Sequence, residues 1–207
     1  MKKLNLISMM LLFVTALSVM SCVNNDNNSD NLISKADQKA YQQRISGTYS
    51  GKTRLYSFDA NSNKFVKQDS TVNVAWTLNA DSTMSITNVP VKFFANYITT
   101  SNNNELVNLK AALAAAPNQN IKAYYCIPST NYVSSTSINY VVTALRFSLT
   151  YNGAAHVITI LTNANYVGGW NVTQRFAYVL AVTAGLYIDS TYYSSNMTTT
   201  AIEMDSK

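Results

Sequence analysis

The sequence predicts a mainly β domain, an antiparallel barrel or sandwich of about eight strands with a short N-terminal helix and a helical insertion near residues 90–117. Three observations carry this prediction. Val141, Thr143, Leu145, Phe147, Leu149 and Tyr151 alternate with Val142, Ala144, Arg146, Ser148 and Thr150, the period of two that a strand imposes. The run ends in Asn152-Gly153, the dipeptide best suited to a two-residue hairpin, and Ala155 to Thr162 supplies the return strand. Turn signals elsewhere recur at hairpin spacing and not at the longer spacing of a strand-helix-strand crossover, so strands adjacent in sequence should be adjacent in the sheet.

At the N-terminus, Lys2 and Lys3 precede an apolar run from Leu4 to Val19, and small Ser21 precedes Cys22. This order suits a secretory signal, and the run is short for a membrane span of about 20 apolar residues. Val19-Met20-Ser21-Cys22 resembles the lipobox of bacterial lipoproteins. The resemblance implies that residues 1–21 are a signal peptide and that the Cys22 thiol receives lipid, palmitate among its acyl chains. It also implies an outer-membrane location, on the periplasmic face or the cell surface. Several acyl chains anchor firmly, since each buried methylene adds about 0.8 kcal/mol. Val23 to Asn31, rich in Asn, Asp and Ser, is too polar to bury anything and reads as a disordered tether. Asp26 and Asp30 resemble, in diluted form, the acidic signals of surface-displayed lipoproteins from Gram-negative gut anaerobes. The expected organisation is therefore signal (1–21), lipidated cysteine and tether (22–33), and one β domain (34–207).

Ser34 to Arg44 is expected to be a short helix, capped by Ser34 and turning Ala36, Ala40, Tyr41 and Arg44 inward. Thr48 to Phe58 follows as the first strand. In a second hairpin Val72, Val74, Trp76 and Leu78 alternate with Thr71, Asn73, Ala75 and Thr77, and Asn79 to Ser82 turns the chain into Met84 and Ile86. Gly47, Tyr49 and Gly51, set after a short helix, together with this hairpin, resemble the opening of lipocalin-like (calycin-like) bacterial lipoproteins. That likeness covers about a third of the chain and implies a barrel that can hold a ligand. The insertion departs from it. There, Phe93, Phe94, Tyr97 and Ile98 suit a short helix or an aromatic strand; Asn104 is expected to cap a second helix with Leu106, Leu109 and Leu113 on one face, and Pro117 ends it. After the Asn152-Gly153 hairpin, Tyr166 to Trp170 reads as a glycine-containing loop, Thr173 to Ile188 as a long strand bent near Gly185, and Met197 to Met204 as the closing strand.

Chemistry is sparse. His156 is the single histidine, so a Ser-His-Asp or Cys-His centre has one candidate base, placed beside a hairpin turn, and no second histidine or thiolate cluster is present to build a metal site. A paired-carboxylate site would have to come from Asp189 and Glu203. With Cys22 committed to lipid, Cys126 is expected to be a buried thiol without an intramolecular partner. The chain carries 15 Lys+Arg against 10 Asp+Glu, net +5; without Lys2 and Lys3 these become 13 against 10, net +3. The cations are scattered, which argues against nucleic acid as a partner. No catalytic residue, metal or cofactor is expected.

Aromatic content is the informative anomaly, with 14 Tyr against 7 Phe. Tyrosine suits surfaces where a ring is half-buried and its hydroxyl is wet. Tyr124, Tyr125, Tyr132, Tyr140, Tyr187, Tyr192 and Tyr193 are candidates for such a surface, and Tyr166 and Trp170, bracketing Gly168-Gly169, are the proposed ligand-binding residues. The expected function is a non-enzymatic, membrane-anchored envelope lipoprotein binding a small apolar or glycan ligand beneath the 90–117 insertion. The alternative is a structural or adhesion component that binds another envelope protein.

Overall fold

The computed structural model describes residues 33–193 and 197–206, with only the backbone of residues 69–72. The signal peptide, Cys22 and the tether lie outside the described residues. The elements are α1 (Lys35–Ile45), β1 (Gly47–Asp59), β2 (Lys64–Leu78), β3 (Thr83–Val89), α2 (Lys92–Ala95), α3 (Asn104–Ala115), β4 (Gln119–Cys126), β5 (Ser137–Tyr151), β6 (Ala154–Thr162), β7 (Gly168–Asn171), β8 (Phe176–Ile188), β9 (Thr191–Tyr193) and β10 (Thr200–Asp205).

The strands form a closed antiparallel barrel of 8 strands, because β10 pairs with both β1 and β8. Two of the staves are interrupted. β6 pairs with residues 144–151 of β5, and β7 continues the same stave by pairing with residues 137–140. β9 and β10 likewise divide the other flank of β8 between them. Closure leaves the barrel wall without a hydrogen-bonding gap, which is how antiparallel sheets avoid exposed edges. Between Asp59 and Lys64, however, the β1–β2 hairpin projects further, and residues 64–68 of β2 pair only with β1.

Alternation sets the lumen. Leu55, Val74, Trp76, Met84, Ile86, Ile121, Tyr125, Leu145, Ile160, Val179, Ile202 and Met204 are all at most 3% or 4% exposed and share one cluster. The Asn152-Gly153 turn has positive φ at both residues (51° and 74°), the two-residue hairpin geometry the dipeptide favours. Gly51 has a different role: a Cβ there would lie 1.6 Å from the Asp205 carbonyl oxygen, so only glycine lets β10 approach at the β1 bulge.

The helices close the two ends. Ser34 caps α1 by accepting from the Asp37 amide, as expected, but the buried face is Gln38, Gln42 and Ile45, while Ala36, Ala40 and Arg44 are exposed. Gln42 turns inward because its amide donates to Ser82 Oγ at 2.7 Å in the β2–β3 turn, which satisfies the buried polar group. At the opposite end α2 and α3 pack together, their Phe93, Phe94, Leu106, Leu109 and Leu113 joining the barrel core. The α3 cap is Asn103, one residue earlier than expected, its side chain accepting from the Glu105 and Leu106 amides. β2 also begins earlier than its alternation suggested, since Lys64 to Gln68 lie in a two-stranded hairpin that buries neither face and so sets no inward pattern to read.

Candidate functional site

The lumen is filled by side chains. The cavity bounded by Ile86, Val89, Ile121, Leu145, Val179, Ala181, Ile202 and Met204 is about 10 Å³. That is at the lower limit for one water molecule and far below the several hundred Å³ of a small-molecule site. Trp76 occupies one wall, stacked on Tyr49 with centroids 5.9 Å apart. Trp76 Nε1 and Thr53 Oγ1 are buried without a protein partner, on residues paired across strands with the cavity-lining Ile86 and Met204.

His156 has gathered the main cluster of polar groups at the helical end of the barrel. Its Nδ1 lies 2.9 Å from Asp189 Oδ2, and Asp189 Oδ1 accepts from the Val157 amide at 2.8 Å. Tyr151 stacks on the imidazole, centroids 4.2 Å apart, and donates its hydroxyl to Glu105 of α3. Burial and that carboxylate both push the Tyr151 phenol well above its ordinary range. The arrangement ties the β5–β6 hairpin, the β8–β9 turn and α3 together. It offers no base to a substrate, because His156 Nε2 is closed off from solvent and faces no hydroxyl or thiol. Asp189 is thus engaged by His156, whereas Glu203 and Asp205 both hold Arg54, and the carboxylates do not pair into a hydrolytic site. Among the described residues no group of three or more His, Cys, Asp or Glu is placed to hold a metal ion.

The Tyr166–Trp170 segment differs from its expected form. Residues 168–171 are strand β7, not loop, and Gly168 and Gly169 are buried. A Cβ on Gly168 would lie 2.7 Å from the Tyr140 ring and 2.8 Å from the Tyr178 carbonyl oxygen. One on Gly169 would lie 2.6 Å from the Tyr178 ring. The glycines make room for aromatic rings. Trp170 packs against the core cluster, and Tyr166 meets Phe65 edge-on at 6.0 Å. The structure therefore separates the two proposed ligand residues into two packing arrangements. Cys126 is 4% exposed, as a buried small hydrophobe should be.

The remaining tyrosines divide by face. Tyr125 and Tyr140 are lumenal, 1% and 0% exposed, and meet edge-on at 5.4 Å. Tyr187 and Tyr192 stand on the outer wall, centroids 4.7 Å apart, with Tyr192 48% exposed and seated over Gly185. Alternation along β8 could have found this outer pair, since Leu186 and Ile188 fix Tyr187 on the opposite face; the position of Tyr192 depends on the β8–β9 turn and has no comparable signal.

The fold and these sites define a closed antiparallel barrel with a filled lumen and an aromatic-bearing outer wall. The chain belongs to the DUF4840 family, a domain of unknown function, whose model matches residues 44–188. That span covers β1 through β8 and stops before the strand that closes the barrel. No curated protein and no solved structure matches the chain.

Proposed function

We propose that this chain is a lipid-anchored envelope protein of non-enzymatic function that binds its ligand on the outside of the barrel. The lipobox-like Val19 to Cys22 supports the anchor, the outer membrane being the location it implies, and the likeness to calycin-like lipoproteins at Gly47, Tyr49 and Gly51 agrees with a barrel on a tether. The observation that carries the reading is the 10 Å³ lumen, which has no room for the small apolar ligand that such barrels otherwise enclose. Recognition then falls to the outer surface, which includes a groove of about 660 Å³ between α3 and the β5–β6 hairpin and a wall whose tyrosines present both a ring face and a hydroxyl, the combination suited to sugars. The test compares the two locations in the purified full chain. Exclusion of an environment-sensitive apolar dye, together with retardation in gels containing soluble polysaccharides, is expected. Stoichiometric dye uptake reversed by a fatty acid would refute binding on the wall.

A second reading, attachment to another envelope protein, is favoured by one feature. The β2 segment that pairs only with β1 borders a groove of about 410 Å³ lined by Gln68, Pro90, Lys92, Phe93, Asn96 and Tyr97. An extended segment laid along β2 would add a strand there.

A further inference from the structure

We infer that one row of side chains across the outer wall is a binding site for an anionic polysaccharide. The inference rests on the proposed wall-binding function and assigns it a place and a ligand class. The cross-strand register aligns Lys122 of β4 with Arg146 of β5, Arg146 with Thr159 of β6, Thr159 with Tyr187 of β8, and Tyr187 with Tyr192 of β9. Their neighbours Ile121, Ala123, Leu145, Phe147, Ile158, Ile160, Leu186 and Ile188 are in the core, so the row is on the outer face; Lys122 and Tyr192 are exposed, Arg146 and Tyr187 half-buried, and Thr159 between the two ends is 3% exposed. With strands about 4.8 Å apart, the row runs for about 19 Å, the length of a short oligosaccharide.

Two features of the row call for a ligand. Lys122 and Arg146 are like charges directly opposite each other on paired strands, an arrangement that costs stability. Among the described residues neither forms an ion pair: Asp189 is engaged by His156, Glu203 and Asp205 by Arg54, and Asp81 accepts from the Thr83 amide and hydroxyl. An anion laid between the two cations would remove that repulsion. At the other end of the row, the Tyr192 ring rests on Gly185 beside Tyr187, where a Cβ would come within 3.0 Å of the ring. The support holds an exposed ring face at a fixed angle, and neither tyrosine hydroxyl has a protein partner among the described residues. A chain of uronic-acid sugars matches both ends, its carboxylates meeting the cations and a pyranose face lying on the tyrosine. Two cations are too few for the phosphate spacing of nucleic acid, and an acidic peptide would leave the ring face without a partner.

The experiment uses the purified full chain and polygalacturonate in affinity electrophoresis, with the fully methyl-esterified polymer, polyglutamate and single-stranded DNA as comparisons. Binding to polygalacturonate that weakens with salt is expected, with weaker binding to the ester. Affinity should fall at least about tenfold in the Lys122→Gln/Arg146→Gln double variant, and by a similar factor in Tyr192→Ala. The melting temperature should be unchanged in Tyr192→Ala and unchanged or slightly raised in the double variant, which removes the opposed charges. Polysaccharide binding undiminished in both variants would overturn the row as the site while leaving wall binding intact. Equal binding of polyglutamate or DNA, indifferent to Tyr192→Ala, would overturn the glycan assignment. Uptake of apolar dye into the lumen with no polymer bound would overturn the wall-binding function itself.

Discussion

Replacing Gly168 with alanine tests whether the glycine pair serves packing or a ligand. The added methyl would stand 2.7 and 2.9 Å from two carbons of the Tyr140 ring and 2.8 Å from the Tyr178 carbonyl oxygen. Neither neighbour can yield cheaply. Tyr140 is 0% exposed, and its hydroxyl donates to that same carbonyl at 2.8 Å, so moving either one strains or breaks a buried hydrogen bond. Overpacking of a tight core costs about 1–3 kcal/mol, and loss of the buried bond places this substitution at about 3 kcal/mol. In a domain of this size that is a fall of about 6–12 °C in melting temperature. Gly169→Ala should cost less, because the obstacles at 2.6 and 2.8 Å are the half-buried Tyr178 ring and the Asn139 side chain, which can turn aside. Calorimetry or urea unfolding monitored by tryptophan fluorescence would measure both. A Gly168→Ala protein with unchanged stability and lost ligand binding would refute the packing argument and restore the segment as a ligand loop.

Trp76 is 1% exposed between Tyr49 and Ile86, so Trp76→Ala should cost about 3–5 kcal/mol; an unchanged urea midpoint would contradict its lumenal role. Tyr125 and Tyr140 have phenol pKa values raised above 10.0, in both cases chiefly by burial, so the fold holds them neutral while the unfolded chain ionises. Their contribution is complete below about pH 10 and is lost progressively as pH rises above it toward the raised folded values. Urea midpoints across this range should fall less steeply in Tyr125→Phe and Tyr140→Phe, and slopes identical to the parent would exclude these two groups. Labelling with a palmitate analogue should mark the wild-type chain and not Cys22→Ser. Label retained by the mutant, or a mature chain whose mass places Cys22 in a disulfide without added lipid, would refute the anchor.

The legible part of this fold is the part governed by local periodicity. Alternation around Leu145 and Trp76 and the Asn152-Gly153 turn each act over a few residues, and the barrel wall follows from them. What escaped depended on distant partners. Gln42 faces inward because Ser82 lies opposite it, 40 residues away, and an isolated helix gives no sign of that acceptor. Gly168 and Gly169 look like loop residues until the rings of Tyr140 and Tyr178 are placed against them. The interrupted staves are hidden for the same reason: β7 is four residues long and is held by β5 and β8 rather than by its own propensity.

Where each tyrosine hydroxyl is used separates the rings that build the barrel from those left to meet another molecule. Tyr49 donates to the Ile45 carbonyl at 2.8 Å, Tyr125 to Asn79 at 2.6 Å, Tyr140 to Tyr178 at 2.8 Å, and Tyr151 to Glu105. Each of these bonds joins a ring to a different element of the fold, so removing the hydroxyl would loosen a closure between elements. Burying such a ring also requires the bond, since an unpaired lumenal hydroxyl would cost about 1–3 kcal/mol. Tyr187 and Tyr192 are under no such requirement, because they stand where water can reach them and their neighbours Gly185 and Thr159 supply support without accepting a bond. Their hydroxyls and one ring face remain free to be used by a ligand. The abundance of tyrosine over phenylalanine thus has two sources, closure bonds inside the barrel and recognition capacity outside it, and the outer pair is where the second can be read.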